Sequence, residues 1–137
     1  MALVYIDPSA LVKLLREEPE SAPLRAFLCE ADLLCSELAL IEVPRAIRRA
    51  VASDPRLPLQ ALLSLADELL DALALLPIDS DLLSAAGAIS EPALRSLDAI
   101  HVIAAVELSP LDAFVTYDER QAAAARLAGL RTLSPGA

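Results

Sequence analysis

Short apolar strand-like runs alternate with helical segments along the whole chain, and no other feature limits the fold as much. Leu3-Val4-Tyr5-Ile6 opens the series as a buried strand. Pro8, at a first helical position where its missing N–H is no loss, starts a helix from Ser9 to about Arg16. Glu17-Glu18-Pro19-Glu20 breaks it, Ser21 to Glu30 forms a second helix, and Leu33-Leu34-Cys35 a second strand. Ser36 reads as the N-cap of a helix reaching about Ala52. Pro44 inside that helix lacks an N–H and crowds the carbonyl of Leu40, so a kink is expected. A loop at 53–58 leads to an amphipathic helix from Leu59 to about Asp71, a strand from Leu73 to Ile78 and a helix from Asp79 to Ile89. Ser90-Glu91-Pro92 is a break. Ser96 to about Leu108 is apolar nearly all round, which marks a buried helix. Ala113 to Tyr117 is a strand, Glu119 to Ala128 a helix stopped by Gly129, and Leu130 to Leu133 a last short strand. Such alternation calls for an α/β fold, a mostly parallel sheet of about five strands with helices on both faces.

At 137 residues the chain suits one domain, residues 1–137, with a full core. Apolar residues make up 56% of it, and mean hydropathy is +0.53, which raises the question of a membrane. The longest uncharged stretch, Leu57 to Ala66, is ten residues, well below the ~20 of a spanning helix. No basic residue precedes Ile6, so no signal peptide is expected. Cys29 and Cys35 lie in apolar surroundings without metal-type spacing and are expected as buried reduced thiols, which fits a cytoplasmic protein. Net charge is −9, and acids at 17, 18, 20, 30, 67, 68, 71, 79 and 81 read as solvated surface. That balance argues against tight non-specific binding of nucleic acid, which depends on neutralising phosphates. A nucleic-acid role would need a local basic patch. Arg45, Arg48 and Arg49 are the candidates, and they serve equally well as a solvated helix face open to a protein partner. Three glycines leave no room for a Gly-rich phosphate loop.

Four carboxylates stand out: Asp7, Glu42, Asp98 and Asp118. Asp7 and Asp118 each end an apolar strand, while Asp98 and Glu42 lie near the starts of mostly apolar helices. In a parallel sheet with crossover helices, strand ends and helix starts share the carboxyl edge, where open α/β sheets bind ligands. Glu42, about six residues past Ser36, sits deeper and would reach back, since helical side chains lean N-terminally. Each acid also has an ordinary structural use. Asp7 is a good N-cap, Asp118 with Gln121 makes a capping box, Asp98 suits a helix dipole, and Glu42 has Arg45 as an ion-pair partner. Gathered in one pocket, the four would not stay ionised without a cation. Carboxylate oxygens suit Mg²⁺ or Mn²⁺, and a single histidine disfavours zinc. His101 follows Asp98 on the same helix face and reads first as a core histidine, with contact to the site as the second reading. Tyr5, Phe27, Phe114 and Tyr117 read as core.

These residues resemble PIN-domain ribonucleases, specifically the VapC toxins of bacterial toxin–antitoxin pairs. The matching pieces are Tyr5 to Leu14, Ser36 to Ala46, Leu97 to Val102 and Val115 to Arg120, followed by an Ala-rich helix and Leu127-Ala128-Gly129-Leu130. They occur in the family's order, and no acid position is missing. The resemblance implies a metal-dependent endoribonuclease toxin acting on RNA, inhibited by a cognate antitoxin protein and dimeric. It implies that Asp7, Glu42, Asp98 and Asp118 are catalytic and bind Mg²⁺ or Mn²⁺. Ser9 and Thr116 would then be hydroxyls that fix carboxylates or waters. Rival readings remain at this stage. A receiver-type signalling domain needs a lysine near the last strand, and the one lysine is Lys13. An aspartyl-nucleophile phosphatase needs a second Asp two residues after Asp7, where Ser9 stands. A catalytically silent PIN domain acting as a binding module would not need the intact acid set.

Overall fold

The computed structural model describes residues 1–137. β1 (Ala2–Ile6), β2 (Ala31–Ser36), β3 (Ala74–Leu76), β4 (Ala113–Val115) and β5 (Thr132–Leu133) form one sheet in the order β3-β2-β1-β4-β5. All four pairings are parallel, so the expected sheet is parallel throughout. β1 is central, with Tyr5 aligned to Leu34 on one side and Phe114 on the other. A strand covered on both faces must be apolar at consecutive positions. Val4-Tyr5-Ile6 and Ala113-Phe114-Val115 meet that demand and are buried throughout. Tyr5 and Phe114 stack with ring centroids 5.2 Å apart. Each fully buried side chain of this size contributes about 1.5–3 kcal/mol of transfer free energy.

Seven helices flank the sheet: α1 (Pro8–Leu15), α2 (Ser21–Leu28), α3 (Ala39–Ser53), α4 (Leu59–Asp71), α5 (Ser80–Gly87), α6 (Ser96–Leu108) and α7 (Glu119–Leu127). α6 is the buried one, as its uniform apolarity predicts, with Ile100, His101, Val102, Ala104 and Ala105 all enclosed. Gly129, just past α7, has φ +87°, a left-handed value that suits glycine at a helix stop. α3 continues through Pro44 to Ser53 without interruption.

Three expectations are corrected. Cys29 is exposed, while Cys35 is buried as expected. α2 buries one stripe, Ser21, Leu24 and Leu28. Phe27 and Cys29 fall off that stripe, so Phe27 is also exposed rather than core. The third concerns the start of α3. β2 runs on through Ser36, whose backbone N–H donates to the Tyr5 hydroxyl (3.1 Å). The Ser36 hydroxyl accepts from Leu38 N–H (3.2 Å), and α3 begins only at Ala39 with no side-chain cap. Glu42 therefore sits in the first turn of α3, at the sheet edge and not deeper.

Candidate active site

From β1 the chain builds β2 and β3 outward on one side, then returns to lay β4 and β5 on the other. The crevice where this order reverses, beyond the carboxyl ends of β1 and β4, is where open α/β sheets hold their ligands. Asp7 follows β1 at that point, and its backbone N–H donates to the carbonyl of Val115 (3.0 Å). Its side chain is 4% exposed. Oδ2 accepts the Ser9 hydroxyl (2.6 Å), the Ser9 amide (3.2 Å) and the Thr116 hydroxyl (3.1 Å). Those two hydroxyls in turn accept the amides of Tyr117 and Asp118, each at 3.1 Å. Ser9 and Thr116 thus hold Asp7 and tie the end of β1 to the end of β4, leaving Oδ1 for the pocket. Burial raises the pKa of Asp7 above the usual carboxylate value, and the charge of His101 and the Ser9 and Thr116 bonds restrain the rise.

Glu42, Asp98 and Asp118 line the same cavity as Asp7, about 600 Å³ in volume. Asp118 is the N-cap of α7, its Oδ1 accepting the amides of Arg120 (2.9 Å) and Gln121 (3.1 Å). Asp98 lies in the first turn of α6. Its pKa is pushed up to about 6, first by burial and then by the charges of Asp7, Asp118 and Glu42, with His101 opposing. The four acids therefore feel one another as like charges. The cavity also takes in Arg45 and Arg49. Arg48 does not line it. The cavity faces one side of α3, and Arg48 turns roughly 100° away from Arg49 around the helix.

His101 does more than fill the core. Fully buried, it sets Nε2 2.6 Å from Glu42 Oε1 and Nδ1 2.7 Å from the Tyr5 hydroxyl. Burial works against its charged form. Its hydrogen bonds to Cys35 and Glu42 and the charge of Asp7 outweigh that and push its pKa up to about 10. The imidazole thus fixes the direction of Glu42 from beneath, so both sequence readings of His101 hold together.

No three acidic, imidazole or thiol groups stand close enough to enclose a metal ion directly. The donor set nevertheless fits a hard cation that keeps part of its water. Mg²⁺ usually takes one or two carboxylates and several waters, and four mutually repelling acids around one cavity suit that mode.

Two further residues at the site, Arg95 and Arg120, are not singled out by the sequence, and Gln121 is expected there only as a capping partner of Asp118. Gln121 is fully buried on the cavity wall, and neither polar atom of its side chain has a partner. The expected capping box is half formed, since Asp118 caps Gln121 but the glutamine side chain returns nothing. Arg95, at the N-cap of α6, lines the cavity, and Arg120 lines an adjoining one. A positive residue at a helix start, where the dipole disfavours it, was the available signal.

The PIN domain profile matches residues 4–127. Ribonuclease VapC47 of Mycobacterium tuberculosis (strain CDC 1551 / Oshkosh) is 40% identical, with 98% of each chain covered. Ribonuclease VapC35 is 39% identical over 98% of each, and Ribonuclease VapC46 of strain H37Rv is 37% identical over 98% of this chain and 99% of that one. Among solved structures, PAE2754 from Pyrobaculum aerophilum superposes with a TM-score of 0.65 at 20% identity, covering 96% of this chain and 83% of that one, a likeness of fold. The chain belongs to the PIN-domain family, among its VapC-type members.

Proposed function

We propose that this chain is a Mg²⁺- or Mn²⁺-dependent endoribonuclease toxin, with residues 1–137 as its working unit. The observation that carries the reading is the convergence of Asp7, Glu42, Asp98 and Asp118 on one cavity at the sheet's switch point. The relatives' names, each a ribonuclease, support RNA as the substrate. When bound, a divalent ion supplies an acidified water and a charge that stabilises the phosphate in the transition state. The chain's own part is positional. Ser9 and Thr116 lock Asp7 with one oxygen free, His101 aims Glu42, and the α7 amides orient Asp118. Arg45 and Arg49 offer positive charge beside the acids for the RNA backbone. Arg48, exposed and outside the cavity, suits a protein partner. By kinship with VapC proteins that partner is a cognate antitoxin, and the toxin itself is a cytoplasmic homodimer. No helix is long and apolar enough to cross a membrane.

Asp7→Ala is the direct test. The purified variant is expected to fold and to lose cleavage of RNA and arrest of growth on expression. Loss of its capping bond costs about 1 kcal/mol, so a melting curve must accompany the assay. Mg²⁺ or Mn²⁺ is expected to raise the melting temperature of the native chain by mass action, and Asp98→Asn and Asp118→Asn are expected to lose that response. Full cleavage by a folded Asp7→Ala protein would remove the nuclease reading.

A further inference from the structure

The acid cavity has a second flank. A smaller cavity of about 400 Å³ adjoins it, sharing Arg95, Asp98 and Asp118 and extending to Glu119 and Arg120. Arg45 and Arg49 line the larger cavity alone, Arg120 the smaller alone, and Arg95, Asp98 and Asp118 line both. Arg95 and Arg120, like Arg45 and Arg49, have no ion-pair partner, so their charges are not neutralised within the chain. Both occupy positions that the fold does not favour. Arg95 is the N-cap of α6 and makes no capping hydrogen bond, and Arg120 lies in the first turn of α7. Positive charge at a helix start opposes the helix dipole, so the dipole does not account for either residue. The start of α6 also lacks a side-chain cap, which leaves its first amides free to meet an anion. Gln121, buried on the wall of the larger cavity with Asp98 and Asp118, has both polar atoms of its side chain unpartnered.

We propose that Arg95, Arg120 and the uncapped start of α6 form a second phosphate subsite, across the acids from Arg45 and Arg49. A single RNA strand then lies over the acids and is held on both sides of the cut. The inference rests on the ribonuclease reading. It explains how a chain of net charge −9 engages a polyanion. Contacts confined to the two ends of one cleft need few arginines and leave the rest of the acidic surface to repel RNA that does not enter.

The test uses the full chain and a short fluorescein-labelled single-stranded RNA. Binding is measured by anisotropy in the uncleaving Asp7→Asn background with Mg²⁺, as a function of salt. Each phosphate contact on single-stranded nucleic acid contributes about 0.7 to the slope of log affinity against log salt. Arg95→Ala/Arg120→Ala is expected to flatten the slope by about 1.4, Arg45→Ala/Arg49→Ala by a similar amount, and all four together by about the sum. Lysine at 95 and 120 should restore the slope, which separates charge from shape. In the cleaving protein the Arg95/Arg120 pair should raise KM and leave kcat unchanged. An unchanged slope on removing Arg95 and Arg120 overturns the subsite. So does a variant that binds and cuts normally yet escapes a co-expressed antitoxin, which would give the arginines to the protein partner. RNA bound with the expected slopes but never cut by the native chain would leave the subsite standing and remove the ribonuclease reading alone.

Discussion

Asp98 is the residue whose electrostatics are easiest to read in solution. Its carboxyl titrates near pH 6 in the fold against about 3.9 in an unfolded chain. Between those values the folded state binds the extra proton, so without metal the group lowers stability as pH rises from about 4 to about 6. Above that range its penalty is full, and below it the penalty vanishes. Asp98→Asn should therefore melt higher than the native chain at pH 7 in chelator and show no such gain at pH 4. Equal melting at both values would mean that neither burial nor the other acids act on Asp98. The four acids were legible in the sequence because each closes a strand or opens a helix. Arg95, Arg120 and the unpartnered amide of Gln121 were not, because their significance depends on which cavity wall they occupy and on their surroundings.

Among the elements, α7 carries two tasks on one side chain. Asp118 caps the helix through the amides of Arg120 and Gln121 and also faces the acid cavity. Asparagine keeps the cap and removes the charge, whereas alanine removes both. Asp118→Ala should be less stable than Asp118→Asn by about 1 kcal/mol, with both equally unresponsive to Mg²⁺. Equal stability in denaturant titrations would show that the cap contributes nothing. Most elements announced themselves through spacing. Leu59 to Asp71 and Ser96 to Leu108 were placed from pattern alone, and the structure has both helices. A serine before a helix ordinarily caps it, so the pattern alone puts the start of α3 too early. Here Ser36 is drawn into β2 by the hydroxyl of Tyr5, a contact across 31 residues that no local pattern encodes. That shift moved Glu42 to the edge where it meets His101.

For the whole molecule the governing quantity is charge. A net −9 is offset by few ion pairs, so self-repulsion weighs on the folded state. Salt shortens the reach of that repulsion, to about 10 Å at 0.1 M. In chelator, added NaCl should raise the melting temperature, and a flat or falling curve would mean that the acids are spaced too widely to matter. The sequence had suggested buried thiols throughout, and the exposure of Cys29 follows from which face α2 turns inward.

The bonds among Asp7, Ser9 and Thr116 also bear on timing. They join residues 109 and 107 positions apart in the chain. Asp7 is made before Thr116 and Asp118, and β4 cannot take its place beside β1 until both strands exist. A partly synthesised chain therefore has a loose carboxylate where the finished one has a braced pocket. The acid pocket is thus incomplete until synthesis has passed Asp118.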